Sequence, residues 1–178
     1  MARRSTAEQL PLAIAPATHA SAALPRLRPR QPMVGDAPFD DDEWFFEPWW
    51  PGAMAMVTIS DGRLRLAVEH LADADAAFPE LTRLCGQFRS AQLIVEATLL
   101  VLDDEGRPDA ELLRERLAYP EVADGTPALV CTDLLQRGER SLLGLPFAER
   151  RAMLGRELSD GDQCVTSRGL RGEGTTLA

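Results

Sequence analysis

The side chains best suited to chemistry lie in one stretch, residues 38–52, which reads PFDDDEWFFEPWWPG. The four carboxylates of Asp40–Glu43 offer oxygen ligands to a divalent cation, and Trp44, Trp49 and Trp50 offer ring faces on which a nucleobase could stack. A solvated acidic loop beside a packed or partner-facing aromatic patch is the more common use of such residues. The pattern therefore favours a structural role for this stretch, at an edge of the domain, over a ligand-binding site.

Lysine is absent: all 19 basic residues are arginine. A guanidinium stays protonated and cannot act as an amine nucleophile, so covalent catalysis by lysine is excluded.

Neither His19 nor His70 has a partner that would give it a catalytic role. Arg150-Arg151 could contact DNA phosphates, but with Glu149 and Glu157 on the same predicted helix we interpret them as surface salt-bridge residues.

The cysteines and the hydropathy indicate the compartment. Cys85, Cys131 and Cys164 are odd in number and lack metal-site spacing, which predicts buried thiols in a reducing cytoplasm. No apolar run reaches the 18 residues that suggest a membrane span, so we expect a cytoplasmic protein with no membrane partner.

Charge is distributed unevenly along the chain, whose formal net charge is −9. Residues 1–31 are rich in Arg, Ala and Pro, hold five of the arginines, and predict a disordered leader. The remainder has 14 arginines against 27 carboxylates, which predicts weak or no direct binding of DNA by the domain.

An α+β domain with an antiparallel sheet is the fold that the pattern favours. Asp61-Gly62 joins two strands in a hairpin, because this dipeptide accepts the positive φ of a tight turn. The hairpin strands are Ala53–Ile59 and Arg63–Val68; further strands are Ala91–Asp103, Ala128–Thr132 and one short strand after Gln163. Helices are predicted over about ten residues from Phe78-Pro79, over Pro108–Leu117 and over Pro146–Leu158.

The order of these landmarks resembles the adenylation (nucleotidyltransferase) domain of bacterial ATP-dependent DNA ligases over residues 32–178. The resemblance is carried by Pro32-Met33, PFDDDEWFFEPWWPG, AAFPEL, LIVEATLLVLDDEGRPD, DLL, LLGLPFAERRAMLGREL and RGEGTTL. It implies the antiparallel-sheet nucleotidyltransferase fold, incomplete at the C-terminus and without the family's oligonucleotide-binding (OB-fold) domain.

The family transfers AMP from ATP to a lysine and then to a 5′-phosphate at a DNA nick, with Mg²⁺. The resemblance places Trp49 at the nucleophile and Pro51 at the aspartate two residues later, so no catalytic residue is assigned. Glu47 and Gly52 match nucleotide-binding positions, and Asp133 matches a metal-binding position.

Other family positions are also substituted. Met54 and Glu69 replace arginines, Glu96-Ala97-Thr98 replaces Asp-Gly-Glu, and Thr132 replaces the stacking aromatic residue. We therefore expect no cofactor for this chain, although the family uses ATP and Mg²⁺.

The resulting hypothesis is a non-catalytic, ligase-like module of DNA repair whose partners are an intact ligase or other repair proteins. Two alternatives stay open at this point. The chain could retain ATP binding or act as a ligase subunit in trans, or it could be a decayed gene fragment with no selected activity.

Overall fold

A six-stranded sheet forms the body of the computed structural model, which describes residues 35, 37–121 and 124–177. The strands are β1 (Phe45–Phe46), β2 (Ala53–Ser60), β3 (Arg63–Val68), β4 (Leu93–Leu102), β5 (Thr126–Arg137), β6 (Arg140–Ser141), β7 (Cys164–Thr166) and β8 (Leu170–Arg171). Their order in the sheet is β3-β2-β4-β5-β6, with β7 parallel to β5, whereas β1 and β8 form a separate antiparallel pair. The predicted α+β class with an antiparallel sheet is confirmed. The leader predicted at residues 1–31 and the Pro32-Met33 match lie outside the described residues.

The hairpin between β2 and β3 is confirmed. Asp61 and Gly62 have φ values of 51° and 71°, and Ser60 pairs with Arg63 around them. Positive φ at both central residues gives a two-residue turn the twist that the flanking strands need.

The helices are α1 (Ala74–Ala77), α2 (Ala110–Ala118) and α3 (Phe147–Glu157), with 3₁₀ helices at Leu81–Gln87 and Gly174–Leu177. The last two α-helices confirm the predictions from Pro108 and Pro146. The Asp109 side chain caps α2 by accepting hydrogen bonds from the backbone N–H groups of Glu111 and Leu112. No helix among the described residues is long and apolar enough to cross a bilayer.

The α-helix predicted from Phe78-Pro79 is wrong. The chain forms the four-residue α1 before Phe78 and the 3₁₀ helix Leu81–Gln87 after it. Leu81 and Leu84 lie three residues apart, a spacing that a 3₁₀ helix satisfies as well as an α-helix does. Only Leu81 of the seven residues is buried, so the segment lacks the wide apolar stripe that would hold an α-helix against the sheet.

The strand predicted at Ala128–Thr132 is part of the longer β5, so Asp133 lies inside a strand and not at its end. Glu96 pairs with Asp133 but Ala97 pairs with Cys131, which is the register shift of a β-bulge. The extra residue, Thr132, interrupts the alternation of side chains at the position where the predicted strand ended.

The core lies between one face of the sheet and the helices. Every second residue of β4 from Leu93 to Val101 is at most 1% exposed and belongs to this core. A small second cluster, Met56, Ile94 and Leu135, occupies the opposite face. Because β4 is buried on both faces, its sequence is nearly continuous in apolar residues.

A buried arginine joins α2 to the segment around Phe78. Arg116 is 2% exposed, donates to both carboxylate oxygens of Glu80 at 2.7 and 2.8 Å, and lies 4.9 Å above the Phe78 ring. Burial acts to raise the pKa of Glu80, but the hydrogen bonds and charge of Arg116 together hold this pKa below its ordinary value.

Candidate functional site

The loop of residues 47–52, which corresponds to the nucleophile turn in the sequence resemblance, connects β1 to β2. Glu47 Oε1 accepts a hydrogen bond from Arg151 Nε of α3 at 3.1 Å, and the two side chains are 18% and 10% exposed. Trp50 Nε1 donates to the buried Ser167 Oγ at 3.4 Å. These contacts fix the loop against α3 and against the segment between β7 and β8.

Gly52 occupies a position where a larger side chain does not fit. A Cβ atom there would lie 2.3 Å from the Leu99 carbonyl oxygen and 2.5 Å from Thr98 Cγ2, both on β4. The glycine therefore permits the chain to enter β2 in close contact with β4. Packing accounts for this match, and a role for Gly52 in nucleotide binding stays a prediction.

Trp49 projects away from the loop. Its side chain is 81% exposed, whereas Trp50 is turned inward to Ser167. Trp44 belongs to a different aromatic group, since its ring contacts Phe39 edge-on at 5.2 Å between centroids. Among the described residues no ring contact joins the three tryptophans to one another, and the stacking platform considered from the sequence stays a prediction.

Asp133 is held by a buried ion pair. Arg150 Nε donates to Oδ1 at 2.9 Å and Nη2 donates to Oδ2 at 2.5 Å, with both side chains 4% exposed. The hydrogen bonds that Arg150 donates to Asp133 raise the pKa of Arg150. The cross-strand neighbour of Asp133 is Glu96, whose carbonyl accepts from Thr132 Oγ1 at 3.2 Å. In this arrangement a guanidinium engages the carboxylate for which a metal-binding role was predicted, and that role stays a prediction.

The interpretation of Arg150-Arg151 as surface residues is wrong, although both form salt bridges. They are 4% and 9% exposed and face two different acidic residues, Asp133 and Glu47. These arginines are the site residues that sequence reasoning missed. The available signal in the sequence was the position of two adjacent arginines beside the apolar residues of a predicted helix. Arginines at such positions can be buried when acidic partners neutralise them.

The acidic run Asp40–Glu43 links the two ends of the described chain. Asp40 accepts hydrogen bonds from the backbone N–H and the hydroxyl of Thr175, each at 2.9 Å, which lower the pKa of Asp40. Asp41 Oδ1 accepts from the backbone N–H of Glu43 at 2.8 Å. Within the described residues, no group of three or more His, Cys, Asp or Glu side chains is arranged to hold a metal ion.

Two of the three cysteines are in contact. Cys131 and Cys164 are fully buried with their sulfurs 3.7 Å apart, and Cys85 is half-buried. The contact with Cys164, together with burial, raises the pKa of the Cys131 thiol. This fits the prediction of buried thiols for Cys131 and Cys164 but not fully for Cys85.

Comparison with curated proteins finds bacterial non-homologous end joining proteins and bacterial DNA ligases. The multifunctional non-homologous end joining DNA repair protein LigD of Mycobacterium tuberculosis is 28% identical over 112 residues, which cover 63% of this chain and 14% of that protein. The LigD of Pseudomonas aeruginosa is 30% identical over 63% of this chain and 13% of its own length. DNA ligase C1 of Mycolicibacterium smegmatis is 29% identical over 82% of this chain and 45% of its own length. No family model matches the chain.

Solved structures of DNA ligases have the same fold. A mycobacterial DNA ligase D complexed with ATP and MES superimposes with a TM-score of 0.66 and 23% identity, over 82% of this chain and 46% of that chain. The ligase domain of M. tuberculosis LigD superimposes with a TM-score of 0.62 over 78% of this chain and 44% of that one. The relationship to the adenylation domain of ATP-dependent DNA ligases, and its fold, are therefore confirmed. The chain spans less than half the length of each of these relatives.

The packing of Gly52 predicts a large effect of a small substitution. In Gly52→Ala the added methyl group overlaps the backbone of β4, and we expect the free energy of unfolding to fall by about 3 kcal/mol in urea denaturation. Gly86→Ala is the matched control, because a Cβ atom there meets nothing within 4 Å. Equal stability of the two variants would contradict the packing role of Gly52.

The buried ion pair predicts a second effect on stability. Asp133→Asn removes the charge that neutralises Arg150 and should lower the free energy of unfolding by about 3–5 kcal/mol. Glu111→Gln breaks an exposed pair with Arg114 and should leave stability nearly unchanged. If millimolar magnesium raised the melting temperature of the natural chain but not of Asp133→Asn, the carboxylate would be a metal ligand after all.

Proposed function

We propose that this chain, a relative of the adenylation domain of ATP-dependent DNA ligases, is a non-catalytic ligase-like protein of DNA repair. The observation that carries the proposal is Trp49, which the sequence resemblance places at the nucleophile position and which lies on a fixed loop, 81% exposed. An indole nitrogen is not nucleophilic, and the chain has no lysine to replace the missing amine. We place the protein in the cytoplasm.

The residues around the loop do not suit ATP. Most of the binding energy of a triphosphate comes from cationic groups and backbone N–H groups directed at its oxygens. The two positions where the resemblance implies arginines hold Met54, which pairs with Thr98 across two strands, and Glu69, which lies beside His70. We assign no adenylation step to this chain and expect it to need no cofactor.

The carboxylates are engaged as well. In the resemblance Glu47 would contact the nucleotide and Asp133 would bind metal, but each accepts hydrogen bonds from an arginine of α3. A ligand would have to displace a guanidinium from either of them, and breaking such a pair leaves an uncompensated charge. This arrangement supports a structural use of both residues.

The fixed loop suits a binding role. Contacts at Glu47, Trp50 and Gly52 hold the backbone on either side of Trp49, so little conformational entropy is lost when its ring is covered by a partner. Exposed tryptophan on a rigid support is a frequent centre of protein interfaces. We propose an intact ligase or another repair protein as the partner.

The proposal predicts that the chain does not take up AMP. With ATP labelled at the α-phosphate and with magnesium, the natural chain should gain no covalent label, because it lacks the amine. The double variant Trp49→Lys, Pro51→Asp should stay unlabelled too, since the positions of Met54, Glu69, Thr98 and Thr132 remain substituted. An intact ATP-dependent ligase serves as the positive control.

Labelling of the natural chain would show an enzyme with another nucleophile and would overturn the proposal. Labelling of the double variant alone would show that the pocket still receives ATP. In that case the alternative of retained nucleotide binding, or of a ligase subunit acting in trans, would replace the present proposal.

The charge distribution predicts how the chain responds to DNA. The five arginines before residue 31 are Arg3, Arg4, Arg26, Arg28 and Arg30. Replacing all five by glutamine should abolish any salt-sensitive affinity for a nicked duplex, because the rest of the chain has 14 arginines against 27 carboxylates. A micromolar dissociation constant in the substituted protein that rises with salt would contradict this prediction.

A further inference from the structure

An open groove of about 730 Å³ lies on the outer side of α3. Its floor is formed by Ala148, Ala152 and Gly155 of α3, and Phe45 of β1 lines one side. A Cβ atom on Gly155 would meet nothing within 4 Å, so no contact within the described chain requires a glycine there. Glycine inside a helix is destabilising, which makes its presence on an uncovered face notable.

The rim of the groove is cationic although the domain is acidic. Arg168 and Arg171 lie on the segment after β7, against a single acidic lining residue, Asp160. The third lining arginine, Arg151, is paired with Glu47 and adds no free charge. Arg168 is exposed and forms no ion pair with any residue that the structure describes. Arg171 donates from Nε to the Asp42 carbonyl at 2.8 Å and likewise contacts no described carboxylate.

An acidic surface adjoins this rim. The run Asp40–Glu43 is separated from Phe45 by Trp44 alone, and Arg171 contacts the backbone of the run at Asp42. Its carboxylates contact Thr175 and backbone N–H groups, and none of the four forms an ion pair with a described residue. Trp44, at the end of the run, is 56% exposed. Cationic and acidic charges thus lie side by side on one face without neutralising each other.

We propose that this groove binds a second copy of the same chain, in a two-fold dimer in which the acidic run of each copy covers the arginine rim of the other. Adjacent patches of opposite charge are self-complementary about a two-fold axis, so one contact generates its equivalent. Trp44 of the incoming copy supplies the apolar group for the groove, whose floor of small side chains leaves room for an indole ring.

The charges favour this occupant over the first 31 residues of the chain. That segment carries five arginines and one glutamate, so it would meet the arginine rim with like charge. Both copies are acidic and repel each other, but at physiological salt this repulsion is screened beyond about 8 Å. The charges that meet at the contact lie closer together than that, so their attraction is screened less.

Sedimentation equilibrium of the full chain over a range of concentrations tests the dimer. Arg168→Glu and Glu43→Arg each place like charges at both equivalent contacts, and each should raise the dimer dissociation constant at least about tenfold. Neither side chain has a described partner, so circular dichroism should show both variants folded. The matched controls, Arg140→Glu and Glu139→Arg, reverse exposed charges outside the groove and should dimerise like the natural chain.

An equimolar mixture of the two groove variants is the decisive measurement. In a mixed dimer the introduced glutamate faces the introduced arginine at one contact, and the natural pair is retained at the other, so dimerisation should recover. A natural chain that remains monomeric up to its solubility limit would overturn the proposal. Loss of dimer in both variants without recovery in the mixture would also overturn it, because the two patches would then not face each other.

Discussion

Burial of two adjacent arginines on α3 is the constraint on which the site depends. A guanidinium taken out of water must find a carboxylate, since an unpaired buried charge costs several kcal/mol. Arg150 finds Asp133 in the central strand β5, and Arg151 finds Glu47 at the start of the loop that carries Trp49. One turn of helix therefore sets the position of the sheet, the helix and the loop relative to one another. The carboxylates that neutralise these charges are the same ones that sequence matching offered as ligands.

The parts of this arrangement that depend on local rules were predictable from the sequence. The dipeptide Asp61-Gly62 accepts two positive φ angles and therefore specified the hairpin, and Pro146 with Glu149 specified the start of α3. The ion pairs were not predictable in this way, because Glu47 and Arg151 are 104 positions apart and only the folded sheet brings them together. The bulge near Asp133 was hidden for a related reason: it becomes visible only when β5 is paired with β4.

The 3₁₀ helix at Leu81–Gln87 shows a different limit of prediction from the sequence. Leu81 and Leu84, three residues apart, fit both helix types, so this spacing alone does not decide between them. The contacts that other residues make with this segment determine its helix type. Arg116 reaches from α2 to the Ala77 carbonyl and to Glu80, which secures the backbone on each side of Phe78 and Pro79 and separates α1 from the 3₁₀ helix.

Gly52 and Trp49 show the difference between a residue that the fold requires and a residue that only the chemistry would require. Any side chain at position 52 would collide with β4, so the glycine is needed whether or not a nucleotide is bound. No comparable packing restraint acts on an exposed side chain at position 49, where an indole is accommodated without cost to the sheet. A residue that matches the ligases is therefore evidence of common function only where packing does not already demand it. By this criterion Glu47 and Asp133, both tied to buried arginines, support a shared scaffold, and the uncovered groove and the exposed tryptophans are where a distinct activity of this chain should be sought.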